Sequence, residues 1–442
     1  MKLLRKGIYS SGGTIGCTGL GVLTNMVLAR SLLPEGMGKY QLVLTFSGIA
    51  VALLSFGKGQ ANIFFLNKKK TLRSIVVMNS VWTSLAAAGL ILPFSFFLLL
   101  LLPDYFGVYP EWVIVIVSIG VWALFFIILL KPILQADLRV REVVWVQFSG
   151  AAFLLAVIAL FGSFKYLDVN TALVSVACSQ LVSMIVLCGY IKKDIDFRLR
   201  FSRTLFLSTF RYGLKLHAAN LFFLLNTSMG LLILRLILVD DFSQVGLYGR
   251  GLAICKLILL VPLALGPVLY AAWSGMSSGV KTSQIELAVR LHLLFAVFMT
   301  AIVELALPLL ILLLYGADYL QAVNATRILV VSVLFKSVLN VFVSLFSSDG
   351  RAQFTAYFMG FSLMQVAILS CILIPYLGIM GAALAEAFTS FTVLLIAIYF
   401  AKRRYNLNVR NLVFITTKDI GYLVNILFPL KGGKRTLWDL KL

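Results

Sequence analysis

Twelve stretches of this chain are apolar over about 20 residues, the length an α-helix needs to cross a bilayer, and short connections join them. They run approximately over 8–32, 40–65, 75–102, 112–131, 143–163, 169–191, 212–238, 246–273, 287–314, 325–347, 354–375 and 378–400. Inside hydrocarbon each segment must satisfy its own backbone polar groups, so segments of this length have to be helical. The expectation is an all-α polytopic membrane protein with about twelve transmembrane helices. Composition agrees: 61% of the 442 residues are hydrophobic and 12% are charged, against about 25% charged in soluble proteins.

The net charge of +21 is not a nucleic-acid footprint, because the bases sit in short connections and not on one solvated face. Alternate connections and both termini hold 28 of the 38 Lys and Arg residues, the opposite connections hold only Lys39, Lys165 and Arg327, and seven lie in or at the edges of the spans. The positive-inside rule then predicts cytoplasmic N- and C-termini in a cell (inner) membrane. The opening MKLLRK runs into a Gly/Ser/Thr-rich stretch with no cleavage site, so it reads as a retained first helix. Five cysteines (Cys17, Cys178, Cys188, Cys255, Cys371) lie in apolar segments without metal or CxxC spacing and read as small buried residues. No phosphate-binding glycine loop, catalytic triad or metal cluster is present, so neither an enzyme nor a cofactor is expected.

The two halves of the chain resemble each other. ARSLLPEGMGKY (29–40) and LRLILVDDFSQVGLY (234–248) both carry Arg, an acidic turn and then Gly-x-Tyr, and Tyr40 and Tyr248 are 208 residues apart. YLDVNTAL (166–173) and YLGIMGAA (376–383) match at an offset of 210. A duplicated six-helix unit keeps the same orientation in both copies. The expected organisation is an N-terminal bundle at 1–191, an amphipathic cytoplasmic linker at 192–211, a C-terminal bundle at 212–402 and a basic tail at 403–442. Within the tail, 410–430 reads as an interfacial helix, because Lys418 and Asp419 interrupt its apolar run.

Charge inside the spans carries the functional signal. Arg30, Lys58, Lys215, Arg235, Arg250, Lys256 and Lys336 face only two acids, Glu304 and Glu386. Each such charge costs about 2.5–3.5 kcal/mol on insertion scales, so an excess of one sign points to a polar cavity and an anionic ligand. Lys336 lies about 16 Å into its helix, too deep to snorkel easily, and Lys256 is at a similar depth. Arg30, Lys58, Lys215 and Arg250 complete the candidate cationic set, and Arg235 is placed at the external rim. Lys336, Asn340, Ser344 and Ser348 step by four along one helix face. His217, Asn220 and Thr227 share another. Each stripe is either a polar cavity lining or a hydrogen-bonded helix seam. Gly12 and Gly16 form a Gly-x-x-x-Gly in a Gly/Ser/Thr-rich first helix, whose default reading is close helix packing and whose alternative is a polar cavity lining. Glu304 and Glu386 either couple an ion or neutralise a neighbouring base.

Several motifs resemble one family: LARSLLPEGMGKY (28–40), SFGKGQA (55–61), RYGLKLH (211–217), VGLY (245–248), YGADY (315–319), ATRIL (325–329) and IPYLGIMGAALA (374–385). In this order they are similar to the polysaccharide biosynthesis, or lipid-linked oligosaccharide flippase, family. O-antigen flippases belong to it, within the superfamily of multidrug and toxin extrusion exporters and the lipid II flippase. The resemblance implies alternating access by two bundles and export of an undecaprenyl-diphosphate-linked repeat unit. It also implies glycosyltransferases and a polysaccharide polymerase as neighbours in the pathway. Many members carry an acid four residues after the asparagine of the seventh helix, where this chain has Gly230 after Asn226. Two other readings are a cation-coupled multidrug exporter of the same superfold, which needs more intramembrane acids, and a non-transporting scaffold of a polysaccharide assembly complex.

Overall fold

The computed structural model describes residues 2–67, 73–194, 201–274, 278–405 and 407–413, without side chains at 2–11, 215–216, 218–220, 278–281, 352, 409 and 413. Its elements, in order, are α1 (Lys2–Ser55), α2 (Lys58–Asn67), α3 (Arg73–Leu101), α4 (Pro103–Phe106), α5 (Glu111–Ala136), α6 (Val140–Ser163), α7 (Val169–Ile191), α8 (Arg203–Ile237), α9 (Phe242–Trp273), α10 (Ser278–Tyr315), α11 (Val323–Ser348), α12 (Ala352–Leu377), α13 (Ile379–Tyr405) and α14 (Val409–Val413). Short 3-10 turns occupy Lys192–Asp194 and Ala317–Ala322. No strand occurs among the described residues.

Ten of the described helices are long and apolar enough to cross a membrane, and the chain is a multi-pass membrane protein. The first two expected spans run together in α1 across a kink at Leu33 (φ 57°), which Pro34 follows. The seventh expected span lies within the continuous helix α8, whose residues 215–216 and 218–220 are not among those searched for spans.

By packing, the chain forms two compact units. The first comprises Met1–Gly249 with Ile311–Gln321, and the second Arg250–Leu310 with Ala322–Leu442. The expected linker at 192–211 contributes the turn Lys192–Asp194 and the start of α8, while 195–200 lie outside the described residues. The interfacial helix expected at 410–430 is described only as far as α14.

Within the first unit the sequence repeat becomes a physical contact. A Cβ on Gly38 would sit 2.0 Å from the Phe242 carbonyl oxygen, and a Cβ on Gly246 would sit 2.0 Å from that of Pro34. The two repeat-related glycines therefore press backbone against backbone in a near-symmetric crossing of α1 and α9. The repeat-related arginines act in the same reciprocal way. Arg235 Nε donates to the Tyr105 carbonyl (2.9 Å), just after α3, and Arg30 donates to the Leu313 carbonyl (2.5 Å), near the end of α10. Returning the contact, the Tyr105 hydroxyl donates to Leu232 and the Tyr319 hydroxyl to Ala29, each at 3.2 Å. Asp104-Tyr105 and Asp318-Tyr319 thus form a further repeat pair that the sequence comparison overlooked.

A second close approach fixes the other end of this unit. The expected span 40–65 breaks at Phe56 (φ 44°) and Gly57 (φ 65°) and restarts as α2. A Cβ on Gly57 would meet the Gly213 carbonyl oxygen at 2.5 Å, and a Cβ on Gly213 would meet that of Phe56 at 2.4 Å. Gly57 is needed both for its left-handed backbone and for the α8 crossing. The close packing expected of Gly12 and Gly16 is not found. No described atom lies within 4 Å of a Cβ at either position, because the spacing alone does not supply a partner helix.

Gly38→Ala and Gly246→Ala each force the α1–α9 crossing apart. Both lower the thermal unfolding temperature of the purified protein, by the equivalent of about 1–3 kcal/mol of overpacking. Gly12→Ala leaves it unchanged, and equal losses at all three positions would contradict the packing described.

Candidate functional site

The seven intramembrane bases divide by what surrounds them. Arg235 is 1% exposed and surrounded by acceptors: the carbonyls of Tyr105, Leu238, Asp104 and Val239, with the Phe242 ring 3.5 Å from its guanidinium carbon. A planar fork of five donors suits such a cage, and Arg235 is a structural residue of the first unit. Arg30 is exposed and bonded to Leu313. Lys58, the first residue of α2, is 3% exposed. Its ammonium donates to the Thr83 hydroxyl and lies 4.6 Å from the centroid of the Phe206 ring. His217 is 9% exposed, 6.0 Å from the ring of Phe56. The side chains of Lys215 and Asn220 lie outside the described residues.

The deep candidates gather in the second unit. Lys336 of α11 is ion-paired with Glu386 of α13, whose residue is 4% exposed. Lys256 projects from α9 and is exposed. Arg250 lies on the same helix and is 3% exposed. The Lys336–Glu386 pair joins α11 to α13, while Arg250 and Lys256 stand six residues apart on α9. Among the described residues no carboxylate pairs with Lys256. The second acid, Glu304, lies 3.6 Å from Arg327, which the sequence placed in a connection.

Asn340 and Ser344 lie at the seam between α11 and α9. Asn340 Nδ2 donates to the Pro262 carbonyl (2.7 Å), and Ser344 donates to the Asn340 carbonyl (2.9 Å). Gly266 allows the approach, since a Cβ there would lie 3.2 Å from Asn340 Nδ2 and 3.3 Å from the Ser344 hydroxyl. Pro262 and Pro267 interrupt α9 at the same place, and an asparagine that reaches a proline-disturbed backbone is a common compensation in membrane helices.

Sequence reasoning missed a buried polar cluster in the first unit. Asn62 Nδ2 donates to the Ser80 hydroxyl (2.9 Å) and to the Leu129 carbonyl (3.1 Å). Asn79, 2% exposed, accepts from the Ser202 amide (3.2 Å). Two asparagines inside apolar spans were the available signal. His292, 5% exposed with Nδ1 2.9 Å from the Ala288 carbonyl, was also missed.

Helices of this length and apolarity define a polytopic membrane protein. The pattern of the family described as Polysaccharide biosynthesis protein matches residues 3–273, and the chain belongs to that family. No curated protein matches the chain. Among solved structures it is similar to an inward-facing multidrug resistance MATE family transporter of the MOP superfamily (TM-score 0.72, 13% identity, 88% of this chain and 94% of the other). It is likewise similar to the lipid II flippase MurJ in an inward closed conformation (TM-score 0.72, 14% identity, 95% and 96%). A third similar structure is a MOP superfamily transporter from Pyrococcus furiosus with a binding pocket of reversed polarity (TM-score 0.66, 14% identity, 91% and 95%). At such identities these likenesses establish the fold.

The Lys336–Glu386 pair makes a direct prediction. Lys336→Met leaves a buried carboxylate unpaired and destabilises by about 3–5 kcal/mol. Lys336→Met with Glu386→Gln removes both charges and recovers most of that loss. Thermal unfolding of the purified variants checks this, and equal unfolding temperatures for single and double variants would refute the pairing.

Proposed function

We propose that the protein is a flippase that moves an undecaprenyl-diphosphate-linked oligosaccharide from the cytoplasmic to the external leaflet by alternating access, for surface polysaccharide biosynthesis. The observation that carries this reading is the excess of base over acid in the membrane-spanning part of the second unit: Lys256, Lys336, Arg250 and Arg327 against Glu304 and Glu386, each of which already pairs with a base. A diphosphate is an acceptor-rich dianion suited to such a set. Family membership supports the polysaccharide pathway, and the printed name of the MurJ structure describes a flippase for a related class of lipid.

The reading orients the chain with both termini in the cytoplasm of a cell-membrane protein, the two six-helix bundles sharing one orientation. The diphosphate competes with the Glu386 carboxylate for Lys336. Glycosyltransferases supply the lipid-linked unit on one side and a polymerase consumes it on the other. A multidrug exporter for cations fits less well, because the two intramembrane acids are both beside bases.

Lys256→Ala with Lys336→Ala tests the reading by surface glycan, scored in cells where the variant is inserted at normal levels. The expected result is loss of surface glycan with lipid-linked units accumulating inside. Glycan at the unsubstituted level would contradict the cationic site.

A further inference from the structure

The polar cluster beside the Gly57–Gly213 crossing presents donors without a matching acceptor. Lys58 has three N–H donors, and the described contact of its ammonium is the Thr83 hydroxyl, which donates in turn to the Asn79 carbonyl at 2.6 Å. Among the described residues no carboxylate pairs with Lys58. Asn79 Oδ1 accepts the Ser202 amide, which fixes the side-chain amide group, and its Nδ2 is buried with no hydrogen-bond partner. Ser202 is the N-cap of α8, a 35-residue helix, and its hydroxyl accepts from the Leu205 amide (3.3 Å). An ammonium, an unpartnered amide donor and the positive end of a long helix thus meet in one place.

A buried charge with so few partners is poorly solvated. Each unsatisfied group here donates, so the complementary occupant is an anion rich in oxygen acceptors. Helix N-termini bind phosphate through their first amides and dipole, and a lysine adds a point charge. In this conformation the face of Phe206, in the first turn of α8, covers the ammonium as a cation–π partner. Phe206 is only half-buried, so its ring touches both the Lys58 ammonium and the surface.

We propose that Lys58, Asn79 and the first turn of α8 form a phosphate-binding site, closed here by the Phe206 ring. The site lies in the first unit and is separate from the Lys256–Lys336 set. Its ligand is a phosphate or diphosphate group, either free or on a lipid headgroup.

The test uses the full chain in phosphatidylcholine nanodiscs, carrying Lys256→Ala, Lys336→Met and Glu386→Gln so that the other cations do not contribute and no buried carboxylate is left unpaired. Phe206→Trp reports on the site by its emission, after subtraction of the same protein without it. One arm titrates inorganic pyrophosphate, and the other replaces phosphatidylcholine with phosphatidylglycerol. A saturable change with pyrophosphate shows that the bare group suffices, whereas a change with phosphatidylglycerol alone assigns a lipid headgroup. Either response must weaken by roughly tenfold or more in Lys58→Gln, the loss of one charged hydrogen bond, and recover in Lys58→Arg. Asn79→Asp keeps the acceptor for Ser202 and gives Lys58 a counter-charge. It should abolish the response while raising the unfolding temperature, an outcome that misfolding cannot produce. No response in either arm, or an undiminished one in Lys58→Gln or Asn79→Asp, overturns the site. Because transport is never measured, this failure is distinct from failure of the flippase reading.

Discussion

Positive charge in an apolar interior must find acceptors, and this requirement orders the rest of the structure. Arg235 meets it with backbone carbonyls and an aromatic face, and so ties the end of α8 to the segment after α3. Lys336 meets it with Glu386 and so joins α11 to α13. Lys58 and Lys256 are met less fully. The cost of leaving them so is several kcal/mol in principle. Under the proposed reading a ligand supplies the missing charge, which would set these two bases apart from those that hold the helices together.

Backbone contact supplies what side chains cannot. Where Gly38 meets Gly246, and Gly57 meets Gly213, helices approach until any Cβ would collide. Small residues allow the close helix packing that membrane proteins use in place of hydrophobic exclusion. Around the Gly38–Gly246 crossing, Arg235 holds the segment after α3 and Arg30 the end of α10, and Tyr105 and Tyr319 return the bonds to the helices that carry these arginines. Duplication gives such reciprocity directly, since one set of contacts serves twice.

Much of this was legible in the sequence, for physical reasons. Helical spans are readable because hydrocarbon tolerates little else. The repeat was readable where Gly-x-Tyr follows an arginine, since those residues make the crossing. Other features depend on distant partners. Glu386 is 50 residues from Lys336, and nothing local distinguishes a neutralising acid from a coupling one. Gly12 and Gly16 match a packing motif but face no helix. The break at Phe56 and Gly57 lies between two apolar stretches that read as one span, although Gly57, Lys58 and Gly59 between them are the local signal for a turn. Asn340 and Ser344 pack against α9 at Gly266, where Asn340 donates to a proline carbonyl of that helix and Ser344 to the Asn340 carbonyl of its own.

The account's central claim is that the cationic residues recognise the diphosphate of a lipid-linked glycan. The most direct measurement is translocation by the purified protein in proteoliposomes, comparing a polyprenyl-diphosphate oligosaccharide with the same glycan on an uncharged lipid. The account predicts protein-dependent flipping of the diphosphate form, suppressed by excess diphosphate lipid lacking the sugar, and no flipping of the uncharged form. Equal rates for both lipids, or transport of a cationic drug in their place, would contradict it.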